Sequence, residues 1–219
     1  MILRLAPRPG GAPLRILLLG AHADDVEIGC GGTVLRLLAE HPGAEVRYVV
    51  FAASPERADE ARAAAAELTA GASSTAVDIH GFRDSFFPWD QPVRLKETIG
   101  ALRKAFDPDI VFTHRRDDLH QDHALIAQLT WNAFRDHLIL EYEIPKWDGD
   151  VGEANIYMPL KACVMDRKIE LLLAHFGSQR SKDWFDAEIF RGLARLRGME
   201  CRSPERYAEA FVLRKAKLA

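Results

Sequence analysis

Residues 16–40, ILLLGAHADDVEIGCGGTVLRLLAE, decide the fold. The stretch 16–21 is an unbroken apolar run, short and suited to a strand buried on both faces. From Gly31 to Glu40 the apolar positions Val34, Leu35, Leu37 and Leu38 gather on one side. That spacing predicts a helix over 31–40, stopped by Pro42 and Gly43. Outward from this stretch the alternation repeats. Segments 45–53, 75–80 and 109–113 read as strands, and 56–70, 92–106 and 119–136 as helices. Ser54 is an N-cap candidate ahead of Pro55 at the first helical position. Extended segments at 138–144 and 155–158, helices at 166–176 and 182–197, and a final strand at 207–214 complete the chain. Strand and helix in alternation predict an α/β fold with a mostly parallel sheet flanked by helices. One domain over 1–219 is expected, with a core at about 14–136 and a small C-terminal layer at about 150–219.

Composition bounds the function. The 219 residues are 48% hydrophobic and 28% charged, ordinary values for a globular chain and not for a disordered one. A net charge of −3 gives no electrostatic footprint for nucleic acid. Cys30, Cys163 and Cys201 are odd in number and form no CxxC, which argues against a disulfide framework and for a reducing, cytoplasmic setting. The stretch 1–13 carries three prolines and two glycines and no apolar region of signal-peptide length. The longest apolar run, 16–23, is too short to span a bilayer, so neither secretion nor membrane insertion is expected.

Parallel sheets bind ligands at the carboxyl ends of their strands, near a switch in strand order. Two histidine–aspartate clusters fall there. The first, His22-Ala23-Asp24-Asp25-Val26-Glu27, follows the first strand; the second, His114 to His123 (HRRDDLHQDH), follows the fourth. Imidazole and carboxylate form the ligand set of zinc and other borderline divalent ions. His120 and His123, spaced i, i+3 at a helix start, project from one face, and His22 and Asp25 share that spacing. Either cluster alone reads equally as helix capping; the two together, at matching places, point to a metal centre.

AHADDVEIGCGGT resembles the AHPDDE-type signature of the PIG-L/LmbE-like zinc-dependent N-acetylglucosaminyl deacetylases, and THRRDDLHQDH resembles that family's second signature, ending in HxDH. The resemblance covers about 15–130. It implies a Rossmann-like sheet and removal of acetyl groups from N-acetylated sugars or glycoconjugates. It also implies bound Zn²⁺, with another divalent ion such as Fe²⁺ as the alternative, and a homo-oligomer. By the same resemblance His22, Asp25 and His123 match the metal ligands, Asp24 the general base, and His120 the acid or electrostatic stabiliser that Asp122 orients. On that pairing, His120 would titrate above its ordinary value. Two positions depart from the family pattern: Ala23 stands where it has proline, and Val26 where it has an acidic residue.

Other residues stay open. Arg83 and Asp84, at the rim after the third strand, suit sugar hydroxyls or an ion pair on a solvated turn. His114 and Asp118 contact substrate or orient ligands. Trp89, Trp147 and Trp184 stack on sugar rings or pack in the core. Cys30 is a small packing residue or a nucleophile. Three other classes compete: a nucleotide-binding oxidoreductase, a non-catalytic metal or sugar module, and a metallohydrolase of another amide or ester. The first is disfavoured because 29–34 falls one glycine short of GxGxxG and the turn carries carboxylates that repel a pyrophosphate.

Overall fold

The computed structural model describes residues 11–217, so the reading of the first ten residues lies outside it. Seven strands form one sheet: β1 (Arg15–His22), β2 (Glu45–Ala52), β3 (Ser74–Ile79), β4 (Ile110–His114), β5 (Leu138–Tyr142), β6 (Ile156–Leu160) and β7 (Tyr207–Val212). Their order is β3-β2-β1-β4-β5-β7-β6. The first five run parallel, and β7 pairs antiparallel with both β5 and β6. The fold is therefore α/β with a mostly parallel sheet, and the C-terminal segment extends that same sheet.

The helices are α1 (Asp25–Glu40), α2 (Pro55–Leu68), α3 (Pro92–Ala105), α4 (Gln121–Ala133), α5 (Ala162–His175) and α6 (Ala187–Glu200). Strand alternation splits the β1 side chains between two cores. Ile16 and Leu18 pack with α1, α2 and α5; Leu17, Leu19 and Ala21 pack with α3 and α4. Every residue from Ile16 to Leu19 is fully buried, each such side chain contributing about 1.5–3 kcal/mol. This is the two-faced burial that the continuous apolar run foretells.

Three helix starts differ from the sequence expectation by four residues or more. Helix α1 begins at Asp25, six residues before Gly31, because its first turns are buried by polar contacts that show no apolar period. Helix α5 begins at Ala162, behind Lys161. Helix α6 begins at Ala187, where the Asp186 carboxylate accepts the Glu188 N–H at 2.7 Å. Ser54 caps α2 as expected, and Pro55 opens it. Among the described residues no helix is long and apolar enough to cross a membrane.

Candidate metal centre

Strands β1 and β4 are adjacent and parallel, and the chain order reverses between them. Their carboxyl ends therefore open into the crevice at the topological switch point. His22 ends β1 and Asp25 opens α1; His114 ends β4 and His123 lies in the first turn of α4. All four are buried.

Carboxylates on the far side of each ring orient the two histidines. Asp122 accepts backbone N–H bonds from Ser85 (2.7 Å) and Phe87 (3.1 Å), and its Oδ2 lies 3.1 Å from His22 Nε2. Asp84 Oδ1 lies 3.2 Å from the same nitrogen. Facing two carboxylates, His22 Nε2 carries hydrogen, which leaves Nδ1 as the nitrogen that would hold a metal. His123 Nδ1 lies 3.1 Å from Asp118 Oδ2, which leaves Nε2 for the same purpose. His22 Nδ1 and His123 Nε2 face each other at 3.2 Å. Asp25 stands 3.6 Å from His22 Nδ1 through Oδ2 and 3.6 Å from His123 Nε2 through Oδ1. Ligands about 2.1 Å from a tetrahedral ion stand about 3.4 Å apart, so the donor set and its spacing fit a divalent cation.

Burial opposes charge on His22, but the carboxylates of Asp122, Asp84 and Asp25 raise its pKa to about 10. Burial also opposes the Asp25 charge, yet His123 and His114 hold its carboxyl well below the usual range. Burial and the neighbouring His114 push His123 down to about 4. A cation held by His22 Nδ1 would therefore take the place of a proton there.

Asp24 sits at the N-cap position of α1 with φ +97°, a left-handed conformation that aspartate tolerates better than most residues. Its side chain makes no capping bond. Instead Oδ1 accepts from Arg57 Nη2 at 2.9 Å, and that same guanidinium nitrogen donates to Ala23 O. The Ser54 cap places Arg57 in the first turn of α2, where it reaches across to the turn between β1 and α1. Asp24 Oδ2 is buried without a hydrogen-bond partner, and burial pushes the Asp24 pKa up to about 7 against the pull of Arg57.

His120 differs from expectation. The Asp122 carboxylate turns to His22, Ser85 and Phe87, and His120 Nδ1 accepts only the Asp122 backbone N–H, at 3.3 Å, capping α4. Burial and His22 lower the His120 pKa, where an ion pair with Asp122 would have raised it. Its ring still lies against the centre, 4.5 Å from His123 and 5.0 Å from His22 between centroids. His22, His120 and His123 also form one metal-capable triple, and Asp25, His114 and His123 another.

The candidate substrate contacts separate into two groups. His114 and Asp118 are buried in the centre and not exposed at its mouth. His114 stacks on His123 at 3.9 Å, and its Nε2 lies 3.2 Å from Asp25 Oδ2. Asp84 and Arg83 lie exposed at the rim, the Arg83 guanidinium resting 3.6 Å over the Phe86 ring. Trp89 and Trp147 are exposed and Trp184 packs against the core. Cys30 is buried, its thiol donating to Val26 O at 3.3 Å, and burial raises its pKa. That removes the nucleophile reading.

Sequence reasoning missed Arg57 and Tyr142. The Tyr142 hydroxyl donates to Leu19 O at 2.6 Å and lies 3.2 Å from His114 Nε2. Its ring crosses α1 at Gly29, where an added Cβ would stand 2.2 Å from a ring carbon. Gly29 thus serves packing and not a phosphate.

The fold and site together define a doubly wound α/β protein whose buried histidine–aspartate cluster, at the switch point of the sheet, could bind a metal. Residues 17–134 match the family PIG-L, GlcNAc-PI de-N-acetylase. The chain belongs to this family, whose members are deacetylases of sugar-containing substrates. Similar solved structures include the conserved protein TT1542 from Thermus thermophilus, at 23% identity and TM-score 0.73, covering 94% of this chain and 97% of that one. GalB, the 4-carboxy-2-hydroxymuconate hydratase from Pseudomonas putida KT2440, shares 17% identity at TM-score 0.72, covering 94% and 98%. The N,N'-diacetylchitobiose deacetylase from Pyrococcus horikoshii, solved with an inhibitor, shares 21% identity at TM-score 0.65, covering 90% and 82%.

Proposed function

We propose that this chain is a metal-dependent N-deacetylase that removes an acetyl group from an N-acetylated sugar or glycoconjugate. The observation that carries the reading is the pair of imidazole nitrogens and the Asp25 carboxylate converging on one point, with an unpartnered Asp24 oxygen beside them. His22, Asp25 and His123 would hold the ion. A bound zinc ion supplies a water of lowered pKa and polarises the amide carbonyl.

The chain's own residues supply the proton transfers. Asp24 Oδ2 accepts the proton of the attacking water, while Arg57 fixes the carboxylate through Oδ1. His120, with Nδ1 committed to the α4 cap, keeps its Nε2–H as a donor. That group hydrogen-bonds the developing oxyanion, and the departing nitrogen takes up the proton that Asp24 accepted from the water. Asp122 orients His22, and Asp118 orients His123. Asp84 and Arg83, at the rim, meet the sugar hydroxyls.

Fold alone does not select the reaction, as the hydratase with the same fold illustrates. Elemental analysis of the purified chain, paired with acetate release from N-acetylglucosamine and N,N'-diacetylchitobiose, tests the reading. One zinc per chain and acetate release that disappears in His123→Ala are expected. A metal-free chain, or release unchanged in that variant, rejects it.

A further inference from the structure

The loop joining β5 to β6 lies beyond the residues matched by the family, yet it sends one side chain into the metal centre. Lys146 is almost wholly buried for a lysine, its side chain 11% exposed. Its ammonium lies 3.0 Å from Asp118 Oδ1 and 2.6 Å from Asp150 Oδ2. Asp118 and Asp150 are themselves buried, at 3% and 8% of side-chain exposure.

We propose that Lys146 is a positioning residue for His123, acting through Asp118. Each oxygen of Asp118 has a separate task. Oδ2 holds His123 Nδ1 at 3.1 Å and so aims the Nε2 lone pair at His22 and Asp25. Oδ1 accepts the His120 N–H at 2.8 Å and faces Lys146. Asp150 completes the clamp by accepting the Leu119 N–H at 2.8 Å, while Arg115 donates to Asp150 O at 3.2 Å. Without the ammonium, Asp118 and Asp150 are two buried carboxylates facing each other, and repulsion turns Asp118 away from His123. With it, Asp118 stays in place, and His123 keeps one ring orientation and one tautomer. The 145–150 loop is thereby part of the ligand scaffold, although it supplies no ligand.

The inference rests on the metal reading above. Its test measures zinc affinity of the full chain by competition with a chromophoric chelator, without substrate. Lys146→Met should weaken zinc binding by about tenfold, the range for losing an outer partner of a ligand, and Lys146→Arg should recover most of it. Because Lys146 acts through Asp118, Lys146→Met should add no further loss in an Asp118→Asn background. Trp147→Ala, at the exposed neighbouring position, should leave affinity unchanged. If Lys146→Met does not fold, Lys146→Gln carries the same comparison. A loss below about threefold, a loss that persists in full in Asp118→Asn, or an equal loss in Trp147→Ala overturns the proposal. A wild-type chain that binds no zinc instead overturns the metal reading itself, so the two failures are distinct.

Discussion

Helix α1 meets buried charge at two points along its length. At its start, Asp24 and Asp25 face the histidines of the crevice. Near its middle, the Gly32 and Thr33 N–H groups donate to the Glu209 carboxylate at 2.9 and 2.6 Å. Lys168 donates to Glu209 at 2.6 Å and to Ile28 O at 2.6 Å. Every charge in the second cluster is answered from within the chain. The first cluster is answered only in part: Asp24 Oδ2 and His114 Nδ1 are buried without partners. Burial is the same in both, so depth does not distinguish them. Closure does. A closed ionic cluster holds the fold together, and an open one has a place for something else.

The comparison can be broken by experiment. The largest effect is expected at Asp24. Asp24→Asn should lower turnover by about 10²–10⁴-fold, the contribution of a positioned base, while zinc content stays at one per chain. Steady-state rates with metal analysis check this, and near-native rates would remove Asp24 from the chemistry. Next comes the closed cluster. Lys168→Met leaves Glu209 buried without its cation, and a loss of about 3–5 kcal/mol in chemical denaturation is expected, with zinc affinity unchanged. Smaller again is the effect of zinc on stability. At a free concentration one hundred times Kd, the wild type should gain about 2.7 kcal/mol, as should any Lys168 variant that folds, whereas Asp25→Asn should gain far less. Thermal melts with zinc and with chelator measure it. The smallest effect sharpens the contrast. In the metal-free chain, Asp25→Asn should cost less stability than Lys168→Met, because the amide oxygen can still accept the His22 N–H, whereas Lys168→Met strands a buried carboxylate. If Asp25→Asn costs as much as Lys168→Met, the distinction between open and closed clusters fails.

The fold was legible wherever side chains followed a period. Residues 16–21 read as a two-faced strand because burial on both sides demands continuous apolarity. The start of α1 was not legible, because Asp25, Glu27, Gly29 and Gly31 carry no apolar stripe; contacts distant in sequence hold those turns. Glu27, for example, is buried against the Tyr48 hydroxyl at 3.0 Å, and burial raises its pKa to about 8. In the centre, His22, Asp25 and His123 lie close together, as two signatures on neighbouring strand ends would allow. The orientation of Asp122 was not legible, since residue spacing does not say which of two histidines a carboxylate faces. Arg57 and Lys146 were hidden for another reason. Each sits in a stretch that reads as a solvated helix or loop, 33 and 28 positions in sequence from Asp24 and Asp118, and only tertiary packing turns either inward.

The interlock of Gly29 and Tyr142 sets a rule for anyone redesigning this protein. The helix backbone and the ring occupy one shared space, so position 29 can grow only if position 142 shrinks. Shrinking 142 removes the hydroxyl that meets Leu19 O and His114. A library that varies the two sites independently would discard most of its members at the folding step. Those that fold with a smaller residue at 142 would carry an altered crevice. The two positions are one design variable, and remodelling the helix face is remodelling the site.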